Sequence, residues 1–290
     1  MGSEERNGTA SPSEGTIGRF ATWKAAQTHH SQKLTIVIAV VATLITIIAV
    51  LGLTGRLRRL LYWPMRMEWV KIPAGTFSMG SSKTDVMANE DELPQHDVFL
   101  KLYKISKYEV TNQQYLRCVN ADVCETPNNK KFDNKDFRLF PVNDIRWDDA
   151  QTFCEWTGGR LPTEAEWEKS ARGLDGKTMP WIEGIYCWQM NYGSKCFEGV
   201  ADVGSKPEDT SYYGAKDMAG NAWEWVSDWY APEYYSVSPY ENPQGPSSGN
   251  GRVLRGTSWR SVGGVARVAD RDYLPPDQRG YNIGFRCASL

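Results

Sequence analysis

One long apolar stretch interrupts an otherwise mixed chain near its N-terminus. From Leu34 to Leu53 no side chain is charged, and threonine is the only polar residue type. Twenty helical residues at about 1.5 Å each span about 30 Å, the thickness of the hydrocarbon core of a bilayer. We predict a transmembrane helix at residues 34–54. A cleaved signal peptide is the main alternative, but its apolar core is typically about 7–15 residues long and lies nearer the N-terminus.

The segments on either side of this stretch are polar and differ in charge. Residues 1–33 are rich in Ser, Gly, Thr and Glu, which predicts a disordered tail. Residues 55–67 are basic and aromatic, and we interpret them as a juxtamembrane linker. The excess of basic residues after the span favours a cytoplasmic C-terminal side. Long domains can translocate against such a bias, so charge alone leaves the topology open.

From residue 68 onwards the apolar positions follow the short periods of a globular domain, which we assign to residues 68–290. Strand-like runs occur at 69–73, 77–80, 98–109 (a strand pair), 223–229, 253–255 and 284–288. The stretches between predicted elements contain many Gly, Pro, Asn and Asp residues. The pattern predicts an α+β domain rich in irregular loops.

Three helices are predicted among these strands. Thr111 is a suitable N-cap for the first. The second covers residues 147–156 and ends at Gly158. A capping box of Thr163 and Glu166 opens the third, which Gly173 ends.

Composition then narrows the classes of function. The formal net charge is −2 over 290 residues, without a basic stripe that alternates with aromatics, so nucleic-acid binding is not expected. The 12 Trp and 14 Tyr lie almost entirely beyond residue 60 and supply a sizeable core. No acid–base pair, Ser-His-Asp set or phosphate-binding loop is apparent. We interpret five carboxylates as helix N-terminal charge and solvated faces: Asp148, Asp149, Glu164, Glu166 and Glu168.

All the cysteines follow the apolar stretch. They are Cys118, Cys124, Cys154, Cys187, Cys196 and Cys287. Their spacing suggests two local pairs, the first with the second and the fourth with the fifth, which leaves Cys154 to pair with Cys287. An even number of cysteines beyond a membrane span is typical of an oxidising compartment, and buried free thiols in a cytosolic protein are the alternative. Without a CxxC pair, a zinc site is not expected.

Several short motifs follow one another from residue 68 to the end of the chain. They read WVxIPAGxFxMG from Trp69, EVTN from Glu109, PV from Pro141, GRLPTEAEWE from Gly159, DMxGNxWEW from Asp217, RGxSW from Arg255 and NxGFRC from Asn282. As a set they resemble the sulfatase-modifying-factor, or formylglycine-generating-enzyme-like, family. The resemblance implies a C-type-lectin-like fold and supports the pairing of Cys154 with Cys287. The membrane segment lies outside the resemblance.

The resemblance to the oxidase members of this family implies two catalytic cysteines that act with copper. These cysteines would lie just after the Gly-x-Ser-aromatic motif. The first position matches Ser261 here, and the second falls in a shortened stretch without cysteine. A serine hydroxyl neither binds copper as a soft thiolate does nor forms a redox-active disulfide, so copper and oxidase activity are not expected. Iron-dependent relatives need histidine ligands, of which the predicted domain has only His96. A sulfatase-modifying or other metal-dependent oxidoreductase is the alternative function.

A second use of the fold is binding. Residues 251–290 resemble the variable region of lectin-fold proteins that retroelements diversify, in which the positions between the frame residues face a ligand. Those positions are Trp259, Arg260, Ser261, Asp270, Asp272, Tyr273, Leu274, Gln278 and Tyr281. Rigid aromatic side chains beside polar ones suit a binding surface. An ordinary set of solvated loops is the alternative.

The resemblance also implies a structural Ca²⁺ site. Its ligands would be the carboxylates of Asp217 and Glu224 and the backbone carbonyls of Gly220 and Ala222. Hard oxygen donors of this kind suit Ca²⁺. The alternative is that Glu224 pairs with an arginine such as Arg267 or Arg286. A second family site would start at Asn191, but its aspartate partner has no clear match here.

These inferences together predict a single-pass membrane protein whose C-terminal domain lies outside the cytoplasm, at the cell surface or in the periplasm. The domain is expected to bind a protein or another extracytoplasmic ligand. A purely structural component of an envelope or complex is a third hypothesis.

Overall fold

The computed structural model of the chain describes residues 35–49, 67–173, 190–193, 198–261 and 267–290. The chain divides into two compact units, Met1–Leu57 and Arg58–Leu290. The predicted tail and most of the predicted linker lie outside the described residues, as do Cys187 and Cys196. Their predicted structures and pairing therefore stay predictions.

The described part of the N-terminal unit is one helix, α1, over residues 35–49. Thr43 and Thr46 donate their hydroxyl protons to the carbonyls of Ala39 and Ala42, at 2.8 and 2.9 Å. These two bonds pair the hydroxyls of Thr43 and Thr46 within the apolar helix. Of the helices in the described ranges, none combines the length and apolarity that crossing a bilayer requires. Residues 34 and 50–54 of the predicted span lie outside those ranges.

The C-terminal unit is an α+β domain. Its described strands are β1 (Trp69–Ile72), β2 (Gly75–Met79), β3 (His96–Leu100), β4 (Tyr103–Ser106), β5 (Trp223–Trp229), β6 (Arg252–Arg255), β7 (Arg271–Leu274), β8 (Ile283–Phe285) and β9 (Ala288–Ser289). Its described α-helices are α2 (Asn112–Asn120), α3 (Trp147–Trp156) and α4 (Glu164–Arg172). The predicted helices and most predicted strands are confirmed to within a few residues.

The strands form three small sheets in the described part of this unit. Their orders are β1-β4-β9, β2-β3 and β7-β6-β5-β8. Within the largest sheet β5 pairs with β8 in parallel, and the other pairs are antiparallel. Strands β7 and β8 therefore occupy opposite edges, roughly 14 Å apart at a spacing of about 4.8 Å per strand.

The helix ends follow the sequence signals. Thr111 accepts a hydrogen bond at its Oγ1 from the backbone N–H of Gln114 at 3.3 Å, and the Gln114 side chain accepts one from the Thr111 N–H at 2.9 Å. Thr163 and Glu166 form the same reciprocal box at the start of α4. Gly173 ends α4 with a φ of 74°, which a glycine adopts without a steric penalty.

A disulfide cross-links the elements that enclose the core next to the largest sheet. Cys154 of α3 bonds to Cys287, which lies between β8 and β9. Both are fully buried beside Phe153 and Phe285, whose rings meet edge to face at 5.5 Å. Cys118 bonds to Cys124 at the end of α2. These two predicted pairs are confirmed.

Two strand predictions need correction. The predicted strand at 284–288 is divided into β8 and β9, which belong to different sheets. The chain changes sheets there because Arg286 and Cys287 turn into the core, with both side chains fully buried. Strand β7 was not predicted, and its residues were assigned to loops. Its burial alternates weakly, because it is an edge strand with two exposed residues in the middle.

The glutamates of α4 are buried, so the prediction of solvated faces for Glu164, Glu166 and Glu168 is wrong. Glu164 and Glu168 are 1% and 0% exposed. Arg255 of β6 donates to both, at 3.1 and 2.5 Å, and Arg271 of β7 donates to Glu164 at 2.7 Å. The arginines follow the helix by about a hundred residues in the chain, so the local helical pattern does not reveal these partners.

Candidate ligand-binding site

A cavity of about 510 Å³ lies beside the N-terminal end of α2. Its wall combines the first residue of that helix, the loops around 128–131 and 137–144, the segment 198–201, and the aromatic residues Trp259 and Tyr281. The volume falls within the range of small-molecule sites. The loops beside α2 therefore enclose enough space for a small ligand.

Asn112 connects the helix to one wall of the cavity. Its side-chain Nδ2 donates to the Phe137 carbonyl at 2.9 Å, and its backbone N–H donates to the Phe140 carbonyl at 2.9 Å. The side chain is 2% exposed, and its Oδ1 has no hydrogen-bond partner among the described residues. An amide oxygen withdrawn from water in this way is costly unless a ligand or water supplies a donor.

A second pair of amides lies across the same wall. Asn129 donates from Nδ2 to Oδ1 of the buried Asn143 at 2.6 Å. The backbone N–H of Asn128 donates to the Asp144 carbonyl at 3.3 Å, which joins the two loops. Lys131 lies over the Phe137 ring, 4.8 Å from its centroid. The wall is thus polar, hydrogen bonds join its two loops, and Lys131 makes a cation–π contact within it.

Trp259, Arg260 and Tyr281 form an aromatic and cationic group at the cavity. The Trp259 and Tyr281 rings are 6.1 Å apart, and the Arg260 guanidinium lies 5.3 Å from the centre of the Tyr281 ring. The Trp259 backbone N–H donates to the Asn221 carbonyl at 3.0 Å, which fixes its position. Its indole Nε1 is buried without a hydrogen-bond partner in the described part of the chain.

Ser261, which the family resemblance matches to the first catalytic cysteine, lies in a cluster of serines. Its Oγ accepts a hydrogen bond from the Ser258 N–H at 3.0 Å. Asn282 in turn donates to Ser258 Oγ at 3.0 Å. Each cysteine within the described ranges is in a disulfide. The described residues around Ser261 therefore offer a hydroxyl and amides, and not a thiol.

The other predicted ligand-facing residues belong to the opposite edge of the sheet. Tyr273 of β7 stacks on Tyr230 at 4.3 Å, and Asp270 accepts a hydrogen bond from Asn89 at 3.2 Å. Asp272 and Leu274 also lie on β7, and Gln278 is exposed in the turn that follows. The structure therefore brings Trp259, Arg260, Ser261 and Tyr281 together and places the β7 residues elsewhere, because three strand spacings separate the two edges.

The asparagines of the cavity were missed at the level of sequence. Asn112 belongs to the EVTN motif, which was used only to identify the family. Asn128, Asn129 and Asn143 lie in a stretch whose Asn and Asp content predicts turns. The repeated amides were the available signal, but nothing in the chain order indicates that they line the same cavity as Trp259.

The predicted calcium ligands lie in the buried interior of the domain. Glu224 accepts hydrogen bonds from Nε and Nη2 of Arg286, both at 2.6 Å, and from Nε1 of Trp167 at 2.7 Å. This pairing is the alternative considered for Glu224, whereas Arg267 pairs with Glu92. Calcium at these residues stays a prediction, and it requires Glu224 to give up part of its contact with the guanidinium.

Asp217 belongs to an acid-rich cluster around Arg286. Burial raises the pKa of Asp217 to about 6, while the Gly204 N–H bonded to its Oδ2 at 2.5 Å lowers it. Burial and the negative charge of Asp217 also raise the pKa values of Glu109 and Asp209 well above the usual carboxyl range. Such an excess of buried acids over cations favours uptake of a proton or a cation.

Comparisons with known proteins agree with the motifs. A profile of the sulfatase-modifying factor enzyme 1-like domain matches residues 64–289. The formylglycine-generating enzyme of Streptomyces coelicolor is 32% identical over 277 residues, which cover 76% of this chain and 88% of that enzyme. The inactive Cα-formylglycine-generating enzyme 2 of Bos taurus is 30% identical, with 76% of this chain and 87% of that protein covered.

Two further relatives are a kinase that is longer than this chain and a protein of solved structure. The serine/threonine-protein kinase pkn1 of Chlamydia pneumoniae is 35% identical over 247 residues, which cover 78% of this chain but only 38% of the kinase. The solved structure of PvdO from Pseudomonas aeruginosa matches with a TM-score of 0.67 and 27% identity, over 77% of this chain and 94% of PvdO. The chain therefore belongs to the sulfatase-modifying factor family and has its formylglycine-generating-enzyme-like α+β fold.

Proposed function

We propose that this protein is a membrane-anchored, ligand- or protein-binding member of its family, and that it does not act as a formylglycine-generating oxidase. The observation that carries the proposal is the pairing of Trp259 and Tyr281 at a loop-walled cavity, next to a serine where the oxidases have their first cysteine. Aromatic side chains that are held in place and remain accessible are the usual anchors of binding sites. Tyr281 is 49% exposed and meets this description.

The case against oxidase chemistry is chemical. The described cysteines form two disulfides, and Ser261 offers a hydroxyl that accepts a hydrogen bond from the Ser258 N–H. The family resemblance implies a copper site built from two cysteine thiolates, and a serine hydroxyl does not replace a soft thiolate as a ligand of Cu(I). The similarity to an inactive formylglycine-generating enzyme 2 agrees with this argument, because a related protein is named as inactive.

The anchoring and location follow from the sequence. The apolar stretch at 34–54 is long enough to span a bilayer, and the cysteines beyond it favour an oxidising compartment. The two disulfides of the domain are in keeping with that environment. The domain accordingly lies at the cell surface or in the periplasm, where its partner is a protein or another extracytoplasmic ligand.

Structural calcium forms a further part of the proposal. The buried carboxylates of Asp217 and Glu224, with the carbonyls of Gly220 and Ala222, would hold the ion as hard oxygen ligands. Glu224 pairs with Arg286, and no cluster of three or more His, Cys, Asp or Glu side chains among the described residues could hold a metal ion, so the two carbonyls would have to complete the ligand set. The ion would stabilise the loop before β5.

Site-specific crosslinking tests the binding role. Tyr281, two residues before β8, and Tyr273, on β7, are tyrosines of similar exposure, 49% and 47%, and the two strands lie at opposite edges of one sheet. Each is replaced in turn by benzoylphenylalanine in the full chain, which is irradiated in its native membranes. We expect a discrete adduct from position 281 that is absent from position 273 and disappears with Trp259→Ala. Identical adducts from both positions, or none from either, would contradict the proposed site.

A turnover assay addresses the oxidoreductase alternative. The purified full chain is incubated with copper and a sulfatase-derived cysteine peptide, and formylglycine is measured by mass spectrometry. We expect no product above that of a Ser261→Ala control. Product that depends on Ser261 would establish the oxidoreductase function instead.

A further inference from the structure

The cavity beside α2 has a wall of neutral amides, which indicates the kind of ligand it takes. Four asparagine side chains, those of Asn112, Asn128, Asn129 and Asn143, line it together with Trp259. We propose that the cavity binds a neutral saccharide, such as a short uncharged oligosaccharide. This inference rests on the proposed binding function and specifies the ligand class.

The charges at the cavity favour a neutral ligand. Its lining holds two cations, Lys130 and Lys131, and two anions, Asp144 and Glu198. The formal charge of this set is zero, and Arg260, which lies against the Tyr281 ring beside the lining, raises it only to +1. The cavity therefore attracts a phosphate, a sulfated sugar or an acidic peptide only weakly. Lys131 is moreover engaged over the Phe137 ring at 4.8 Å. A ligand without charge matches this balance.

The hydrogen-bonding capacity of the wall favours hydroxyl groups. An asparagine amide offers both donors and an acceptor, and a saccharide hydroxyl is itself a donor and an acceptor. Two atoms of lining residues have no hydrogen-bond partner in the described ranges: Oδ1 of Asn112, which needs a donor, and Nε1 of Trp259, which needs an acceptor. A hydroxyl can take both roles, as donor to the first kind of atom and as acceptor from the second.

The aromatic residues favour the same ligand class. A pyranose ring has an apolar face of C–H groups that packs against an aromatic ring, while its hydroxyls point outward to polar partners. The Tyr281 and Trp259 rings are inclined at 56° with their centres 6.1 Å apart, and Phe137 and Phe140 also line the cavity. Aromatic surfaces beside a few polar groups are the usual composition of such small-ligand sites.

A peptide is the principal competitor and fits less well. Extended peptides commonly bind by adding to the free edge of a sheet, where main-chain hydrogen bonds provide much of the affinity. The residues that line this cavity lie in α2, in a short 3-10 helix and in loops, and none lies in a strand. The main-chain ladder that an extended peptide needs is therefore not offered by the described wall.

The test begins with the purified full chain on a printed array of neutral oligosaccharides, sialylated and sulfated oligosaccharides, and uncharged peptides. The strongest neutral saccharide is then titrated by calorimetry. We expect Tyr281→Ala to weaken its binding at least about tenfold and Asn128→Ala about threefold, as for an aromatic anchor and one exposed hydrogen bond. Tyr273→Ala, the matched control at the other edge, should stay within about twofold of the wild type.

The outcomes separate this inference from the function on which it rests. Preferential binding of uncharged peptides or of charged saccharides, with the same loss in Tyr281→Ala, overturns the neutral saccharide and leaves the cavity as a binding site. Neutral saccharide binding that Tyr281→Ala and Asn128→Ala leave unchanged overturns the location. An absence of binding to every class on the array overturns the inference, while the crosslinking at position 281 independently decides the proposed function. Unchanged thermal unfolding of Tyr281→Ala and Asn128→Ala ensures that a loss reflects the cavity.

Discussion

The two described disulfides differ strongly in the length of chain that they close. Cys154 and Cys287 are 133 positions apart, whereas Cys118 and Cys124 are 6 apart. A cross-link stabilises a protein mainly by restricting its unfolded chain, and the loop-entropy relation gives about 5 kcal/mol for the long loop and about 2 kcal/mol for the short one. Replacement by alanine also removes buried sulfur atoms, at a similar cost for both pairs because the four cysteines are all buried.

We therefore expect Cys154→Ala/Cys287→Ala to lose about 3 kcal/mol more of the free energy of unfolding than Cys118→Ala/Cys124→Ala. Urea denaturation of the full chain in detergent, followed by tryptophan fluorescence, measures this difference from the transition midpoints and m-values. The second variant is the matched control, since it also removes one disulfide and two sulfur atoms. Equal losses, or a larger loss for the short loop, would refute the loop-entropy argument.

Three further predictions concern the interior of the domain. The pKa of Asp228 is raised to about 7, by burial first and by the negative charge of Glu164 second. The native state therefore holds the Asp228 proton more tightly than the unfolded state does. As a result, the free energy of unfolding falls as the pH rises from about 4 to about 7. Asp228→Asn should accordingly leave the unfolding free energy unchanged near pH 4 and raise it by about 1–4 kcal/mol at pH 8, and an equal effect at both pH values would contradict this assignment. Gly256→Ala should lower the unfolding free energy by about 2–4 kcal/mol, because φ is +94° and the added Cβ would lie 2.8 Å from the Trp167 ring. Gly158→Ala is the control, because its φ is +84° but nothing lies within 4 Å of the added Cβ. It should lower the unfolding free energy by only about 1 kcal/mol in the same urea experiment. If calcium binds at Asp217, added calcium should raise the Tm of the wild type and not that of Asp217→Asn, and a Tm that is insensitive to calcium would argue against the site.

The local structure of the domain was predictable because its signals are local. Thr111 and Thr163 cap their helices through side chains three residues away, and Gly173 ends α4 where a positive φ is needed. The closeness of Cys118 to Cys124, six positions apart, was likewise visible in the chain order. Each depends on contacts within a few residues, which a linear pattern records directly.

The candidate site was only partly predictable. Trp259, Arg260, Ser261 and Tyr281 were found through a family resemblance, and the structure brings them to one side of the sheet. Tyr273 and its neighbours were assigned to the same surface through the same resemblance. The order β7-β6-β5-β8 separates them, since strands adjacent in sequence need not be adjacent in a sheet.

The sequence by itself determined the family, the α+β class, the capped helices and the two described disulfides. Only the tertiary structure decided that Glu164 and Glu168 are buried against Arg255, and that the asparagines around 128–143 line one cavity together with Trp259. The physical reason is the same in both cases. Whether a polar side chain is solvated, paired or part of a binding wall depends on groups about a hundred residues away, and these are placed by packing and not by the local pattern.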